Sequence, residues 1–206
     1  MAVPSAGQVP TRRSGWPVLR TPRWMLAGAA VLAVGLTLVA IPHHPSTGER
    51  AADLRGVVKD LNTDIESCAG GVSESLTALQ EIRSGASHDV KTAVNIATLG
   101  AANCSPANSM PMDDLVQYQV PESLASFHLD QTVNDLVTWG FPDAQRVQVD
   151  VATVLTAATP SAIRAATTAL QRDQQVLDAE RARIDGMINA ASKSLSAGVA
   201  PPVLPS

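Results

Sequence analysis

The chain has few aromatic residues, few charges and few cysteines. Aromatic residues make up 3% of its 206 residues, charged residues make up 17%, and there are two cysteines. Sandwiches and barrels of β-strands draw on aromatic and β-branched side chains, so the aromatic shortage disfavours these folds. Hydrophobic residues still reach 45%, which argues against a fully disordered chain. The composition therefore favours packed helices with an aliphatic, alanine-rich core.

Sequence motifs of common enzymes are also absent. There is no glycine-rich phosphate loop, no G-x-S-x-G, no H-E-x-x-H and no Glu-x-x-His pair of the di-iron kind. The histidines are scattered, and we expect His88 and His128 to face solvent or to cap helices rather than to act as bases. The sequence thus predicts a protein that is not an enzyme and that uses no cofactor or metal.

Basic and acidic residues are divided unevenly along the chain. Residues 1–24 contain four arginines and no acidic residue, whereas residues 51–206 contain 10 basic and 18 acidic side chains. An acidic body repels phosphate groups. We therefore expect no nucleic-acid partner.

One uncharged segment, residues 24–41, has the length that a helix needs to cross a membrane. Trp24 opens it as an interfacial anchor, and basic residues flank only its amino-terminal side. By the positive-inside rule residues 1–23 stay in the cytoplasm and the rest of the chain lies outside. The sequence predicts a single-pass signal anchor in the cytoplasmic membrane, followed by a linker at 42–49. The flanking basic residues are Arg12, Arg13, Arg20 and Arg23.

Other interpretations of this segment remain open. A cleaved secretory signal would release a secreted helical protein, but Leu38 stands where the best cleavage site needs a small residue. A twin-arginine export signal would use Arg12 and Arg13, but two prolines and two more arginines separate them from the apolar run. Gly28 and Gly35 allow close helix contact and hence self-association, although their spacing differs from the four-residue dimerisation motif.

The two cysteines, Cys68 and Cys104, both fall on the predicted extracytoplasmic side. Oxidising conditions there let disulfides persist, and an even pair is most simply a bridge. No C-x-x-C spacing is present, which disfavours a redox or metal pair. We predict a structural disulfide, with free buried thiols as the alternative.

The spacing of apolar residues predicts an antiparallel bundle of four or five helices over residues 50–197. Apolar positions recur every three or four residues from Leu54 to Leu79 and indicate one long helix, with a weak or kinked middle at Gly70 and Gly71. Ser87 is predicted to cap a second helix after a turn. The inward positions of that helix are Val90, Val94, Ala97, Ala101 and, just past its end, Cys104.

Residues 103–121 contain three prolines and are predicted to form a long loop that is functional or mobile. The loop carries Tyr118, the only tyrosine of the chain and a candidate contact residue. Asp113 and Asp114 are adjacent carboxylates with the chemistry of a cation site, but their spacing matches no EF-hand loop. A solvated loop is the favoured interpretation.

A short helical stretch from Glu122 is predicted to end at the sequence Trp-Gly-Phe-Pro. There Gly140 would stop the helix in the left-handed conformation and Pro142 would sit in the first turn of the next helix. Trp139 and Phe141 are candidates for packing between the helices or for contact with a ligand.

The carboxyl-terminal part is predicted to be one long helix and a disordered tail. Thr159 would cap the helix and Pro160 would open it. An apolar stripe from Ile163 to Leu195 follows, interrupted by Asp173. Residues 198–206, with three prolines, are predicted to be the tail.

Residues Trp139 to Gln145 read Trp-Gly-Phe-Pro-Asp-Ala-Gln in an alanine-rich chain with twelve Arg and three Lys. With the amino-terminal anchor, this resembles uncharacterised membrane-anchored or lipid-anchored envelope proteins of GC-rich actinobacteria. The resemblance implies a location in the envelope and no particular activity, and it identifies no functional residue.

Taken together, the sequence predicts a non-enzymatic binding or scaffolding component of the cell envelope. Its expected partners are the membrane, through residues 24–41, and another envelope protein. The alternative is a sensory module that binds a small ligand between its helices and signals through a membrane partner.

Overall fold

The computed structural model describes residues 44–204, and these residues belong to one compact unit. The predicted anchor at 24–41 and its arginine and tryptophan flank lie outside the described residues. Among residues 44–204, none of the helices combines the length and the apolar character that a membrane crossing requires. This part of the chain consists of helices and the loops between them, as the composition predicted.

The first helix, α1, runs from Thr47 to Ser84 and confirms the predicted long helix. It begins inside the segment predicted as a linker, because Ser46 and Glu49 form a capping box in which each side chain accepts a hydrogen bond from the other residue's main-chain N–H. It ends at Gly85, whose φ of 75° stops the helix in the left-handed conformation. The helix continues through Gly70 and Gly71. Its buried apolar face includes Leu54, Leu61, Ile65, Cys68 and Val72.

The second helix, α2 (Val90–Asn103), begins two residues later than predicted. Asp89 is its cap, since its carboxylate accepts a hydrogen bond from the main-chain N–H of Thr92 at 3.0 Å. The predicted cap, Ser87, instead accepts one from the N–H of Asp89. Val90 is 37% exposed and Val94 is half-buried, so neither is the inward position that the sequence predicted. The buried positions of α2 are Ala93, Ala97, Gly100 and Ala101.

The predicted loop at 103–121 contains a short helix, α3 (Met110–Val116), with Pro111 in its first turn. A 3-10 helix, Glu122–Phe127, follows. It ends at His128, whose φ of 53° also separates it from α4 (Leu129–Asp135). The predicted single helical stretch from Glu122 is therefore two elements, and His128 lies at the cap between them.

The predicted stop at Gly140 was wrong. Gly140 has φ −59° and ψ −47°, which is ordinary helical geometry, and α4 continues through a π-helical turn (Leu136–Gly140) into α5 (Phe141–Thr156). The N–H of Phe141 donates to the carbonyl of Leu136, five residues back. This wide turn leaves room for the ring of Pro142, which has no N–H to donate, so the helix passes the proline without ending.

The last helix, α6 (Pro160–Leu195), begins as predicted, with Thr159 accepting a hydrogen bond from the N–H of Ala162. Its apolar stripe is buried from Ala166 onward, but Ile163 is 42% exposed because the first turn of α6 lies in solvent. Arg83 at the end of α1 contacts Thr167 near the start of α6, which makes the two helices antiparallel.

The helices form an antiparallel bundle with four long rods, namely α1, α2, the continuous α4–α5 rod and α6. The Cys68–Cys104 disulfide joins the middle of α1 to the end of α2, so these two helices run in opposite directions. An ion pair between Asp135 on α4 and Arg183 on α6 joins the start of the α4–α5 rod to the later half of α6, as expected for two antiparallel helices. The core is aliphatic, and Phe141 is completely buried within it.

The predicted disordered tail was wrong for residues 198–204. The segment 197–204, which we call the strap, folds back from α6 along α1. The guanidinium of Arg55 donates to the carbonyl of Ala197 at 3.2 Å, and the N–H of Val203 donates to Asn62 Oδ1 at 2.9 Å. Leu204 is only 3% exposed. Because Leu204 is buried in the core and Val199 packs against it, the proline-rich segment is ordered by packing rather than by secondary structure.

Candidate functional site

The predicted disulfide between Cys68 and Cys104 is confirmed, and it lies in the interior of the bundle. The two Cα atoms are 4.6 Å apart, and both residues are buried. Thiolate chemistry requires access to an attacking thiol. This buried disulfide is therefore built to hold α1 and α2 together rather than to exchange electrons.

A glutamine beside the disulfide was missed by the sequence reasoning. Gln148 on α5 is fully buried, and its amide nitrogen donates to Cys104 Sγ at 3.1 Å. The hydroxyl of Ser75 lies 3.4 Å from Gln148 Oε1 and donates to the carbonyl of Gly71 at 2.6 Å. A polar residue at an inward helix position, between Val147 and Val151, was the signal that could have found it. This cluster links three helices and exposes no group to a ligand.

Tyr118 lies beside a group of three carboxylates on the surface shared by α1 and α3, namely Asp60, Asp64 and Asp114. Its hydroxyl donates to Asp60 Oδ2 at 3.2 Å. Partial burial, and then the charges of Asp60 and Asp64, raise the pKa of Tyr118 to about 12. Partial burial, followed by the charges of Asp114 and Asp60, likewise raises the pKa of Asp64. The neighbouring carboxylates therefore disfavour ionisation of Asp64 and of the Tyr118 phenol.

This acidic group does not form a metal centre. Within residues 44–204 no three or more His, Cys, Asp or Glu side chains are grouped so that they could hold a metal ion. Of the two adjacent aspartates that the sequence singled out, Asp114 lies near the group and Asp113 is exposed. The hydroxyl of Tyr118 thus bonds to Asp60 on α1, and this contact attaches the end of α3 to α1.

Two further carboxyl groups, those of Asp150 and Asp173, lie between α5 and α6. Asp173, which interrupts the apolar stripe of α6, is buried and accepts a hydrogen bond from Arg172 Nε at 2.7 Å, which lowers the pKa of Asp173. Burial, and then the charge of Asp173, raise the pKa of Asp150. Two carboxyl groups with opposite pKa shifts are a pattern of acid–base sites. Here the pair lies in the α5–α6 contact, and neither residue lines the cavities described below.

A concave surface lies along α1. A cavity of about 570 Å³ lies beside the middle of the helix, and the end of the strap forms its floor at one end. Its lining is made of small, polar and aliphatic side chains. The lining residues are Asn62, Thr63, Glu66, Ala69, Gly70, Ser73, Val203 and Leu204.

A second cavity, of about 320 Å³, lies toward the far end of α1, where α1 faces α6. Leu76, Leu79 and Leu170 give it an apolar floor. Its rim carries the amides of Gln80 and Gln174 and the guanidinium of Arg83. The residues of α1 that line the two cavities follow a helical repeat of three and four residues, so both lie on one side of α1. We call the side of α1 that carries both cavities the α1 groove.

The last two described residues of the strap, Val203 and Leu204, lie at the near end of the α1 groove. The main-chain groups of the strap bond to side chains of the bundle, since Ser192 Oγ both accepts from the N–H of Val199 and donates to the Val199 carbonyl, each at 2.9 Å. Leu204 is inserted beside Leu177 and Ile184 of α6, while Val203 is 74% exposed. The near end of the groove therefore already binds a peptide segment, and that segment belongs to the chain itself.

The structure brings together only some of the residues that the sequence selected. Cys68 and Cys104 meet, Phe141 is buried in the core, and Tyr118 is half-buried against α1. The side chain of Trp139 and the flank residues of the anchor lie outside what the structure describes. The α1 groove was not predicted, because it depends on how the strap and α6 sit beside α1.

Comparisons with protein-family models, with curated protein sequences and with solved structures found no match to this chain.

Proposed function

We propose that this protein is a membrane-anchored, extracytoplasmic binding or scaffolding component of the cell envelope, and that it binds its partner through the α1 groove. The observation that carries the proposal is the partial occupancy of that groove. The strap fills its near end with a bound peptide segment, while about 570 Å³ beside Gly70 and Ser73 stays open.

The proposed location rests on two features that are independent of each other. Residues 24–41 are uncharged, and arginines flank only their amino-terminal side, which favours an exported body. The body contains a buried disulfide, and disulfides persist in oxidising compartments outside the cytoplasm. The resemblance to actinobacterial envelope proteins points to the same compartment.

The proposed absence of catalysis rests on where the ionisable groups lie. The α1 groove is lined by one carboxylate, Glu66, and one guanidinium, Arg83, in separate cavities. Catalysis by a paired acid and base needs both groups within hydrogen-bond reach of one substrate. A surface of amides, hydroxyls and small aliphatic side chains is instead suited to holding a partner.

The second candidate function is a sensory module for a small ligand. The cavity between α1 and α6 favours it, since an apolar floor of leucines beneath two amides and Arg83 suits a small amphipathic anion. A ligand panel followed by thermal unfolding separates the two candidates. A pocket binder gains stability by mass action, whereas a scaffold without a small ligand does not.

The location is tested by the intact mass of the full chain, isolated without reductant from membranes and, separately, from the medium. We expect the full-length chain in the membrane fraction, two hydrogens lighter than the reduced formula. A shortened chain in the medium would instead identify a cleaved, secreted bundle and would contradict the anchor. A full-length chain in the cytosolic fraction would contradict export.

A further inference from the structure

Three carboxyl groups of α5 and α6 share two guanidinium groups. Asp143 and Asp173 are buried, and Asp150 is half-buried with its Oδ2 atom enclosed. The guanidinium of Arg146 pairs with Asp143, and Arg172 Nε donates to Asp173 Oδ1 at 2.7 Å. Within residues 44–204 no lysine, arginine or histidine side chain forms an ion pair with Asp150. Asp150 is therefore the carboxyl group that has no cation of its own.

The carboxyl groups of Asp150 and Asp173 lie close enough to share a hydrogen bond between the two helices. No N–H or O–H group of the described residues donates to the enclosed Oδ2 atom of Asp150. Two ionised carboxylates carry only acceptors, so they have no hydrogen atom to share. The bond therefore exists only while one of the two groups is protonated. Arg172 favours the ionised form of Asp173, so the proton belongs on Asp150.

We infer that Asp150 and Asp173 form a pH-dependent latch between α5 and α6, which is closed in acid and weakened at neutral pH. In the closed form, the protonated carboxyl group of Asp150 donates a hydrogen bond to the carboxylate of Asp173. Loss of that proton leaves two carboxylates at hydrogen-bond distance, and their charges repel. The latch does not depend on the proposed function. Only its exposure to the pH outside the cell rests on the proposed export of the bundle.

The charged groups of α5 and α6 themselves favour a proton on Asp150. Burial, and then the charge of Asp173, raise the pKa of Asp150, although Arg172 and Arg146 act in the opposite direction. Both guanidinium groups are largely exposed and each is bonded to another carboxylate, which weakens their effect on Asp150. Arg164, on an earlier turn of α6, is exposed. The two helices therefore do not supply the missing cation.

The other described elements packed against α5 and α6 place no cation in ion-pair contact with Asp150. On α2 the charged residue is Lys91, which is exposed in the first turn. On α1 the side chain that meets α5 is Ser75, which is uncharged, and Arg83 bonds to a threonine near the start of α6. On α4 the charged residue that contacts α6 is Asp135, which pairs with Arg183. A proton is thus the remaining way to neutralise the third carboxyl group.

The two carboxyl groups give stability a maximum in acid. The folded state holds the Asp150 proton more tightly than the unfolded state does. Stability therefore falls as the pH rises from the ordinary aspartate pKa of 3.8 through the raised pKa of Asp150. Asp173 acts in the opposite direction, because its bond to Arg172 lowers its pKa, and stability falls as the pH drops below 3.8. We expect the pair to stabilise the bundle most near pH 3.8 and less toward neutral pH.

The test compares the full chain in nonionic detergent micelles with two amide variants, by thermal unfolding from about pH 4 to about pH 7. Asp150→Asn keeps the shape of the carboxyl group and supplies a permanent N–H donor to Asp173. Asp173→Asn supplies the reciprocal donor to Asp150 and keeps an oxygen for Arg172. The matched control is Asp178→Asn, which removes an exposed carboxylate from α6.

We expect the Tm of the unchanged chain and of Asp178→Asn to fall in parallel as the pH rises, and that of both amide variants to fall less. At pH 7 Asp150→Asn should melt about 2–4 °C above the unchanged chain, the shift expected for one buried hydrogen bond in a domain of this size. The difference should narrow toward pH 4. A fall as steep in the amide variants as in the unchanged chain would overturn the inference. If Asp150→Asn does not fold, the slope of Asp173→Asn alone decides in the same way.

Hydrogen exchange shows whether the effect lies in the α5–α6 contact. At pH 7 we expect the main-chain N–H groups of α5 and of the first half of α6 to exchange more slowly in Asp150→Asn than in the unchanged chain. The α1–α2 hairpin, which the Cys68–Cys104 disulfide holds, should exchange equally in both. Unchanged exchange in α5 and α6, or the same change in all four rods, would contradict a latch at this contact. Failure of the proposed location appears instead in the membrane and medium fractions, which these measurements do not use.

Discussion

Gly71 on α1 and Gly100 on α2 face each other so closely that a Cβ atom added to Gly71 would lie 2.8 Å from the Cα atom of Gly100. The Cys68–Cys104 disulfide lies about one turn away along each helix. Of the two glycines that weaken the helix by propensity, Gly71 is therefore the contact point of the α1–α2 hairpin, whereas Gly70 is exposed.

The two neighbouring glycines should respond to alanine with opposite signs. Gly71→Ala places a methyl group against backbone that cannot move without separating the helices, and we expect a loss of about 1–3 kcal/mol of unfolding free energy. Gly70→Ala has open space and should gain about 0.5–1 kcal/mol from helix propensity. Urea unfolding followed by circular dichroism measures both. A stabilised Gly71→Ala would contradict the close contact.

Removal of the disulfide should destabilise the bundle only under oxidising conditions. The cysteines are 36 residues apart, and closing a loop of this length contributes about 3–4 kcal/mol in the chain-entropy model. For a domain of this size we expect Cys68→Ala with Cys104→Ala to lower the Tm by about 10 °C. The unchanged protein in reductant is the control and should melt close to the variant. Similar losses with and without reductant would show that packing, not the bridge, is responsible.

The phenol of Tyr118 should titrate abnormally. Because it is the only tyrosine of the chain, the phenolate absorbance reports this residue alone. We expect its pKa near 12 in the folded protein, raised by partial burial and then by Asp60, and close to 10 in urea. Asp60→Asn should lower the folded value, whereas Asp113→Asn, which removes an exposed carboxylate, should leave it unchanged.

The same shift predicts how stability depends on pH. Since the folded pKa of Tyr118 lies above the unfolded one, the stabilising contribution of the neutral phenol is fully present below pH about 10 and is lost as pH rises through about 12. Tyr118→Phe should show a shallower loss over this range in urea unfolding. A slope identical to that of the unchanged protein would contradict the assignment.

Alanine substitutions at Gly140 and, for comparison, at Gly85 test whether the α4–α5 rod is a continuous helix. Gly140 has helical dihedrals, and a Cβ there would meet Leu136 Cδ2 at an ordinary 3.5 Å, so Gly140→Ala should stabilise by about 0.5–1 kcal/mol. Gly85, with φ 75°, ends α1 in the left-handed conformation, and Gly85→Ala should cost about 1 kcal/mol. Thermal unfolding compares them. Loss of stability in both variants would indicate a left-handed stop at Gly140.

Local patterns were sufficient for much of the fold. The long α1 helix, the cap at Thr159 and the start of α6 follow from side-chain spacing and from hydrogen bonds within a few residues of the chain. The second helix start was misplaced by two residues because Ser87 and Asp89 both have the chemistry of a cap, and only the packing of α2 selects between them.

The candidate site could not be predicted from those local patterns. The α1 groove exists because the strap returns to Asn62, which lies 141 residues earlier in the chain, and because α6 faces the far half of α1. Gln148 acquires its role only where Cys104, Ser75 and Gly100 converge on it from other helices. No sequence window contains such partners together.

What the sequence by itself determined is the helical class, the inward-facing cysteine pair and the register of the long helices, since a period of three and four apolar residues fixes which face of each helix is buried. The tertiary structure alone decided that Gly71 meets Gly100, that the chain passes Pro142 through a π-helical turn, and that a proline-rich segment is ordered against α1. Each of these depends on steric fit and on hydrogen bonds between distant segments, and their energies exist only once the helices are packed.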